Sequence, residues 1–174
     1  MRFIFTNERS DLLREPIDVA LRIGELDDSQ LIAKKITTMK LHVVAAPRFV
    51  TCTPRIHHHR DLLRCNCVPI VSLKNNKVWP WLFREGRKTV AVVPTGSIEV
   101  SSIGAGLDLA LAGHGVALIS DALYQQVPAG KLHILMPQWQ LPDTPVWAVY
   151  PSKHLLSPKV RLLVEHLSTS LVQS

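Results

Sequence analysis

The densest group of chemically capable residues lies between positions 52 and 67: Cys52, the run His57-His58-His59, then Cys65 and Cys67. Thiolates and imidazoles are zinc ligands, but zinc wants four of them converging tetrahedrally, usually from Cys-x2-4-Cys knuckles. Cys65-Asn66-Cys67 is tighter than a knuckle, and adjacent histidines are expected to point in divergent directions. The segment therefore predicts adventitious nickel or zinc on the histidines and no physiological metal site. Gly104-Ala105-Gly106 opens like a dinucleotide fingerprint, yet Leu109 stands at the third glycine position and no strand-adjacent acidic partner is evident. Ser97, Asp108 and His114 supply the residue types of a hydrolytic triad. Thr95-Gly96-Ser97-Ile98-Glu99 is not, however, the Gly-x-Ser-x-Gly elbow that presents a nucleophile. The expectation is a non-enzyme with no cofactor.

One stretch does suit a ligand. Glu99–Ser102 runs off an expected strand into a helix beginning near Ile103, with Ser101 or Ser102 as its cap. A helix start carries N–H groups without intrahelical partners and a positive dipole end. Gly104 and Gly106 in the first turn would let a ligand come close to the backbone. An ordinary capped helix explains the same residues.

The elements that would position this stretch are legible from apolar runs of strand length. They are Phe3–Phe5, Val19–Ile23, Leu41–Ala45, Val68–Val71, Val90–Val93, Val116–Ile119, Leu132–Leu135 and Val146–Tyr150. Many are continuous rather than alternating, as strands buried on both faces should be. Between them fall helical patterns. Ile103, Leu107, Ala110 and Leu111 share a face, with Gly113 as the stop. At the other end Ser157 is placed to cap and Pro158 to occupy the first helical position. Val160, Leu163, Val164, Leu167 and Leu171 then form the apolar stripe. Alternating strands and helices predict parallel sheet with helices on its faces, in two α/β lobes. Residues 51–67 read as a polar loop, and residues 74–88 as a hairpin turning at Asn75-Asn76 and Glu85-Gly86.

Composition narrows the function classes. The chain has 174 residues, 47% hydrophobic and 20% charged, which suits a folded domain and excludes disorder. No apolar run approaches a membrane span. The start Met1-Arg2-Phe3-Ile4-Phe5-Thr6 lacks the features of a secretory signal, and three cysteines make no disulfide framework. A cytoplasmic protein without membrane partners is expected. The net charge of +6 is scattered among single and paired cations rather than gathered into a block, so this chain alone is not expected to read DNA.

Several segments together resemble the effector-binding region of LysR-type transcriptional regulators. Asp18–Leu26 is similar to that family's "DVAIRIGEL", and Ala112–Ile119 to "AGLGIALLP" with His114 replacing leucine. His42–Phe49 resembles the crossover "LVASPAYL". Pro54–Leu62 resembles the loop "P-x-H-P-x-D-L" and Arg64–Val68 the segment "R-H-N-C-L". The most specific match is Pro145–Leu167, similar to "LPVWAVYPSRRHLSPKVRAFIDFL".

The resemblance implies a fold of the periplasmic-binding-protein type: two Rossmann-like subdomains joined by crossing strands near Leu41–Ala46 and Val146–Pro151. Subdomain I would hold residues 1–45 plus 151–174, and subdomain II residues 46–150. The family's DNA-binding winged helix-turn-helix has no counterpart here, and subdomain I is expected to be incomplete, since the chain begins near its second strand. The implied function is effector sensing for a DNA-binding transcription factor. A small metabolite, with a carboxylate favoured, would bind between the lobes, and the protein would form a homo-oligomer such as a dimer. The implied effector-binding positions are Thr6, Arg22, Ile23, Gly24, Ser101, Ser102 and Gly115. A solute-binding protein of a transporter is the alternative with the same lobes.

Overall fold

A computed structural model describes residues 12, 17–26, 31–53, 55–73, 75–151 and 157–170. In chain order its elements are β1 (Ala20–Ile23), β2 (Leu31–Met39), β3 (Leu41–Ala45), α1 (Pro47–Thr51), a 3-10 turn (His59–Arg64), β4 (Trp81–Glu85) and β5 (Lys88–Val92). There follow α2 (Ile103–Leu111), β6 (Ala117–Ser120), α3 (Asp121–Tyr124), β7 (His133–Ile134), β8 (Thr144–Pro151) and α4 (Pro158–Ser170). The chain divides into two compact units. One comprises Lys40–Pro142, the other the described parts of Arg9–Met39 and Asp143–Ser174. Both mix sheet and helix, as the α/β reading expects.

The unit Lys40–Pro142 is organised by β3, which lies between β6 and β7. Its run of apolar residues is continuous because both faces are buried. Val43 and Ala45 enter one core with Leu62, Cys67, Trp81, Phe83 and Val116. Val44 and the following Ala46 enter another with Val68, Ala110, Ala117, Ile119 and Leu132. The two-residue period of a strand thus feeds two cores from one segment. In α2 the face carrying Ile103, Leu107, Ala110 and Leu111 packs on the second core. That helix gives way at Gly113, whose φ of +68° is the left-handed conformation a helix stop favours.

The other unit has the sheet order β1-β8-β2, with Ala148 of β8 and Ile36 of β2 packed against Val160 and Val164 of α4. The expected cap of α4 is in place, since the Ser157 hydroxyl accepts from the Val160 N–H at 3.4 Å. Leu167 packs on the same core; Leu171 and the expected strand Phe3–Phe5 lie outside the described residues.

The expectation of parallel sheet needs correction. Every ladder between the named strands is antiparallel. Among the described residues parallel pairing is confined to single bridges, Cys67 with Val116 and Ile70 with Val100. The segment behind both bridges is strand-like: the Val68 N–H donates to the Val116 carbonyl and the Val71 N–H to the Val100 carbonyl, each at 2.8 Å. Pro69, between them, has no N–H with which to extend a ladder. Strand β2 was not foreseen from the sequence. Its Lys34 and Lys35 are exposed, so the run lacks a continuous apolar signal. Hairpin turns fall where they are expected. Asn76, at φ +53°, joins Val71 to its antiparallel partner Val78, and Gly86, at φ +62°, joins β4 to β5.

Candidate functional site

Of the two candidate caps, Ser102 is the one that closes α2. Its backbone is extended, its hydroxyl accepts from the Ala105 N–H at 3.2 Å, and its carbonyl accepts from the Gly106 N–H. The N–H groups of Ile103 and Gly104, one and two places inside, have no carbonyl four residues back within the helix. Gly104 is exposed and a Cβ there would meet nothing within 4 Å, so its backbone is approachable. Gly106 is different: it is buried, facing Ala117 and Val100, and serves helix–sheet packing rather than ligand approach. Ser101 and Ser102 are both half-buried.

The loop leading into this helix is pinned by Asn66, a residue that carries no local signal in the sequence. Its Oδ1 accepts from the Ser97 N–H at 2.8 Å, and its Nδ2 donates to the His114 carbonyl. One amide therefore holds the loop before α2 and the loop after it. The backbone of the Asn66 segment passes so close that two glycines are obligatory. A Cβ on Gly96 would lie 1.7 Å from the Cys67 carbonyl oxygen, and one on Gly115 would lie 2.6 Å from that of Asn66. Gly115 is buried, so the structure gives this expected effector position a packing reason.

The remaining described candidates belong to the other unit. Arg22 is half-buried opposite Trp147 in the β1–β8 ladder, and Ile23 is 57% exposed. Gly24 turns the chain at φ +95° and is held twice, its N–H donating to Pro145 and its carbonyl accepting from Trp147 Nε1. Thr6 lies outside the described residues.

The cysteine–histidine segment resolves into two behaviours. Cys65 and Cys67 are buried, and their thiols donate to the carbonyls of Asp61 and Leu62. Burial pushes the Cys67 thiol up to about 12 and raises Cys65 as well. Neither is poised as a thiolate ligand. The histidines, against expectation, do not diverge: the rings of His58 and His59 lie 4.1 Å apart, both edge-on to Trp139. The reason is local. His58 is the extended N-cap of the 3-10 turn and His59 its first residue, so the backbone bends between them. The turn is locked by Asp61, whose carboxylate accepts the N–H groups of His57 and His58 and is thereby held below the usual carboxylate range. His59 is buried, which pushes its imidazole below the ordinary histidine value.

Comparison with known proteins assigns the chain. Residues 2–171 match the family described as the LysR substrate binding domain. The chain belongs to that family. This LysR substrate-binding domain is 32% identical to the HTH-type transcriptional regulator PtxR of Pseudomonas aeruginosa, over 93% of this chain and 52% of that protein. It is 29% identical to the regulator DmlR of Escherichia coli, over 96% of this chain and 54% of that protein. The chain thus spans about half the length of these curated relatives. Among solved structures, the regulatory domain of CrgA, a LysR-type regulator of Neisseria meningitidis, superposes with a TM-score of 0.75 at 25% identity. That match covers 92% of this chain and 78% of the other. Full-length AphB of Vibrio cholerae gives 0.72 at 22% identity, covering 94% and 54%, which bears on the fold alone. The periplasmic-binding-protein-like fold expected from the sequence is the fold of this family. The relatives named here are described as transcriptional regulators, so the transporter alternative gains nothing from them. Among the described residues no helix is long and apolar enough to cross a membrane.

Proposed function

We propose that this LysR substrate-binding domain senses a small anionic metabolite for a transcriptional regulator, without catalysing a reaction. The observation that carries the reading is the start of α2. The Ser102 cap, the exposed Gly104 and the positive dipole end offer donors to a carboxylate. The helix end contributes about 0.3–1 kcal/mol when exposed, so affinity also needs charge and apolar contact. The proposal assigns these to Arg22, able to donate a planar fork, and to the exposed Ile23. Thr6, Gly24, Ser101 and Gly115 complete the proposed set, on family resemblance.

Bound effector would favour one arrangement of the whole regulator by differential affinity. In the proposed cytoplasmic protein, a homo-oligomer, that shift would be read by a winged helix-turn-helix outside this chain. The test is a thermal-shift screen of organic and aromatic carboxylates, each beside its amide, followed by gel shifts of the full-length regulator with the best acid. Acids raising the melting temperature while their amides do not supports the reading. Equal response to acid and amide removes it.

A further inference from the structure

We propose that His58, His59 and Glu85 form a binding site for a divalent transition-metal ion of the zinc type, separate from the effector site. His59 is 1% exposed, and both of its ring nitrogens are buried without a hydrogen-bond partner among the described residues. A neutral imidazole has one N–H to donate and one lone pair to offer, and buried polar atoms are seldom left without a partner. Glu85 faces it, with Oε2 at 4.0 Å from His59 Nε2. His58 lies alongside, and one ligand atom from each of the three residues falls within 4.8 Å of the other two. Ligands at about 2.0–2.2 Å from a tetrahedral ion stand about 3.3–3.6 Å apart, so closure needs a contraction of about 1 Å. The exposed Glu85 side chain, at the end of β4, can supply it.

The surroundings are built for a fixed site. His58 is held as N-cap by the Asp61 carboxylate. Its Nδ1 accepts from the Arg60 N–H, so ligation exchanges that hydrogen bond for the ion, at Nδ1 itself or at Nε2 once the ring proton sits on Nδ1. Phe83 stacks on His59 and Trp139 closes over both rings, its Nε1 donating to the His57 carbonyl at 2.9 Å. Ligand chemistry selects the ion. Two imidazoles and a carboxylate suit zinc, nickel or copper, whereas magnesium and calcium want an oxygen shell. Three protein ligands leave one position for water. The ion would tie the turn at His58-His59 to the end of the β4–β5 hairpin within one unit.

The test is equilibrium dialysis of the tag-free protein against zinc chloride, with magnesium chloride as control. One zinc per chain and no magnesium is expected. Glu85→Gln and His59→Gln should each weaken zinc binding by roughly tenfold or more, on the scale of a lost metal contact. His57→Ala, at the exposed neighbouring histidine, should leave it unchanged. Because His59 is buried, Glu85→Gln decides if the other variant does not fold. Wild-type zinc affinity in Glu85→Gln, loss in His57→Ala, or sulfur ligands in the zinc X-ray absorption spectrum would overturn the site.

Discussion

Trp147 Nε1 donates to the Gly24 carbonyl at 3.0 Å, tying the turn after β1 to the middle of β8 across 123 positions of sequence. Together with the Gly24 N–H on the Pro145 carbonyl, this bond holds the Arg22-Ile23-Gly24 segment against its sheet.

Trp147→Phe should therefore destabilise the chain by about 1 kcal/mol, the net worth of one hydrogen bond. Gly24→Ala should cost about 1 kcal/mol for a different reason. A Cβ there meets nothing within 4 Å, but φ is +95° and L side chains resist it. Urea unfolding measures both, with the midpoint falling and the slope unchanged.

The glycines around Asn66 and α2 should separate sharply. Gly96→Ala drives a methyl into the Cys67 carbonyl and should cost at least about 2 kcal/mol, with Gly115→Ala close behind. Gly104→Ala enters open space on a helix and should stabilise by about 0.5 kcal/mol. The same substitution crowds the helix start, so it should also weaken carboxylate binding. Calorimetric melting read beside ligand titration checks the opposite signs.

Cys67 carries a pH dependence. Its folded value is raised by burial to about 12 from an ordinary 9.0. A thiol raised in this way contributes stability that is full below pH 9 and lost as pH rises from 9 toward 12. Cys67→Ala should flatten that alkaline decline while costing stability at pH 7 through the cavity it leaves. At pH 8 iodoacetamide should label the exposed Cys52 first, with Cys65 and Cys67 reacting only on unfolding.

What was legible in the sequence was what neighbours along the chain decide. A serine cap at 101 or 102, the Gly113 stop, the Ser157-Pro158 start of α4 and the Gly86 turn are signals read within four or five residues. The continuous apolar run of β3 correctly implied burial on both faces. Strand direction was not legible, because apolar runs look alike whether their partners are parallel or antiparallel. Nor was Asn66, whose amide bridges Ser97 and His114, 31 and 48 positions away. The convergence of His58 and His59 escaped for a related reason: the bend between cap and 3-10 turn depends on Asp61 folding back onto it.

The proposed anion site at the start of α2 stands or falls on isothermal titration of the protein with paired carboxylates and amides, repeated on Ser102→Ala and Arg22→Ala. At least one acid should bind while its amide binds roughly tenfold more weakly or not at all. Ser102→Ala should lose about two- to fivefold, the scale of a helix-end contribution, and Arg22→Ala more. Acid and amide binding alike, or both variants binding as wild type does, would rule the anion site out.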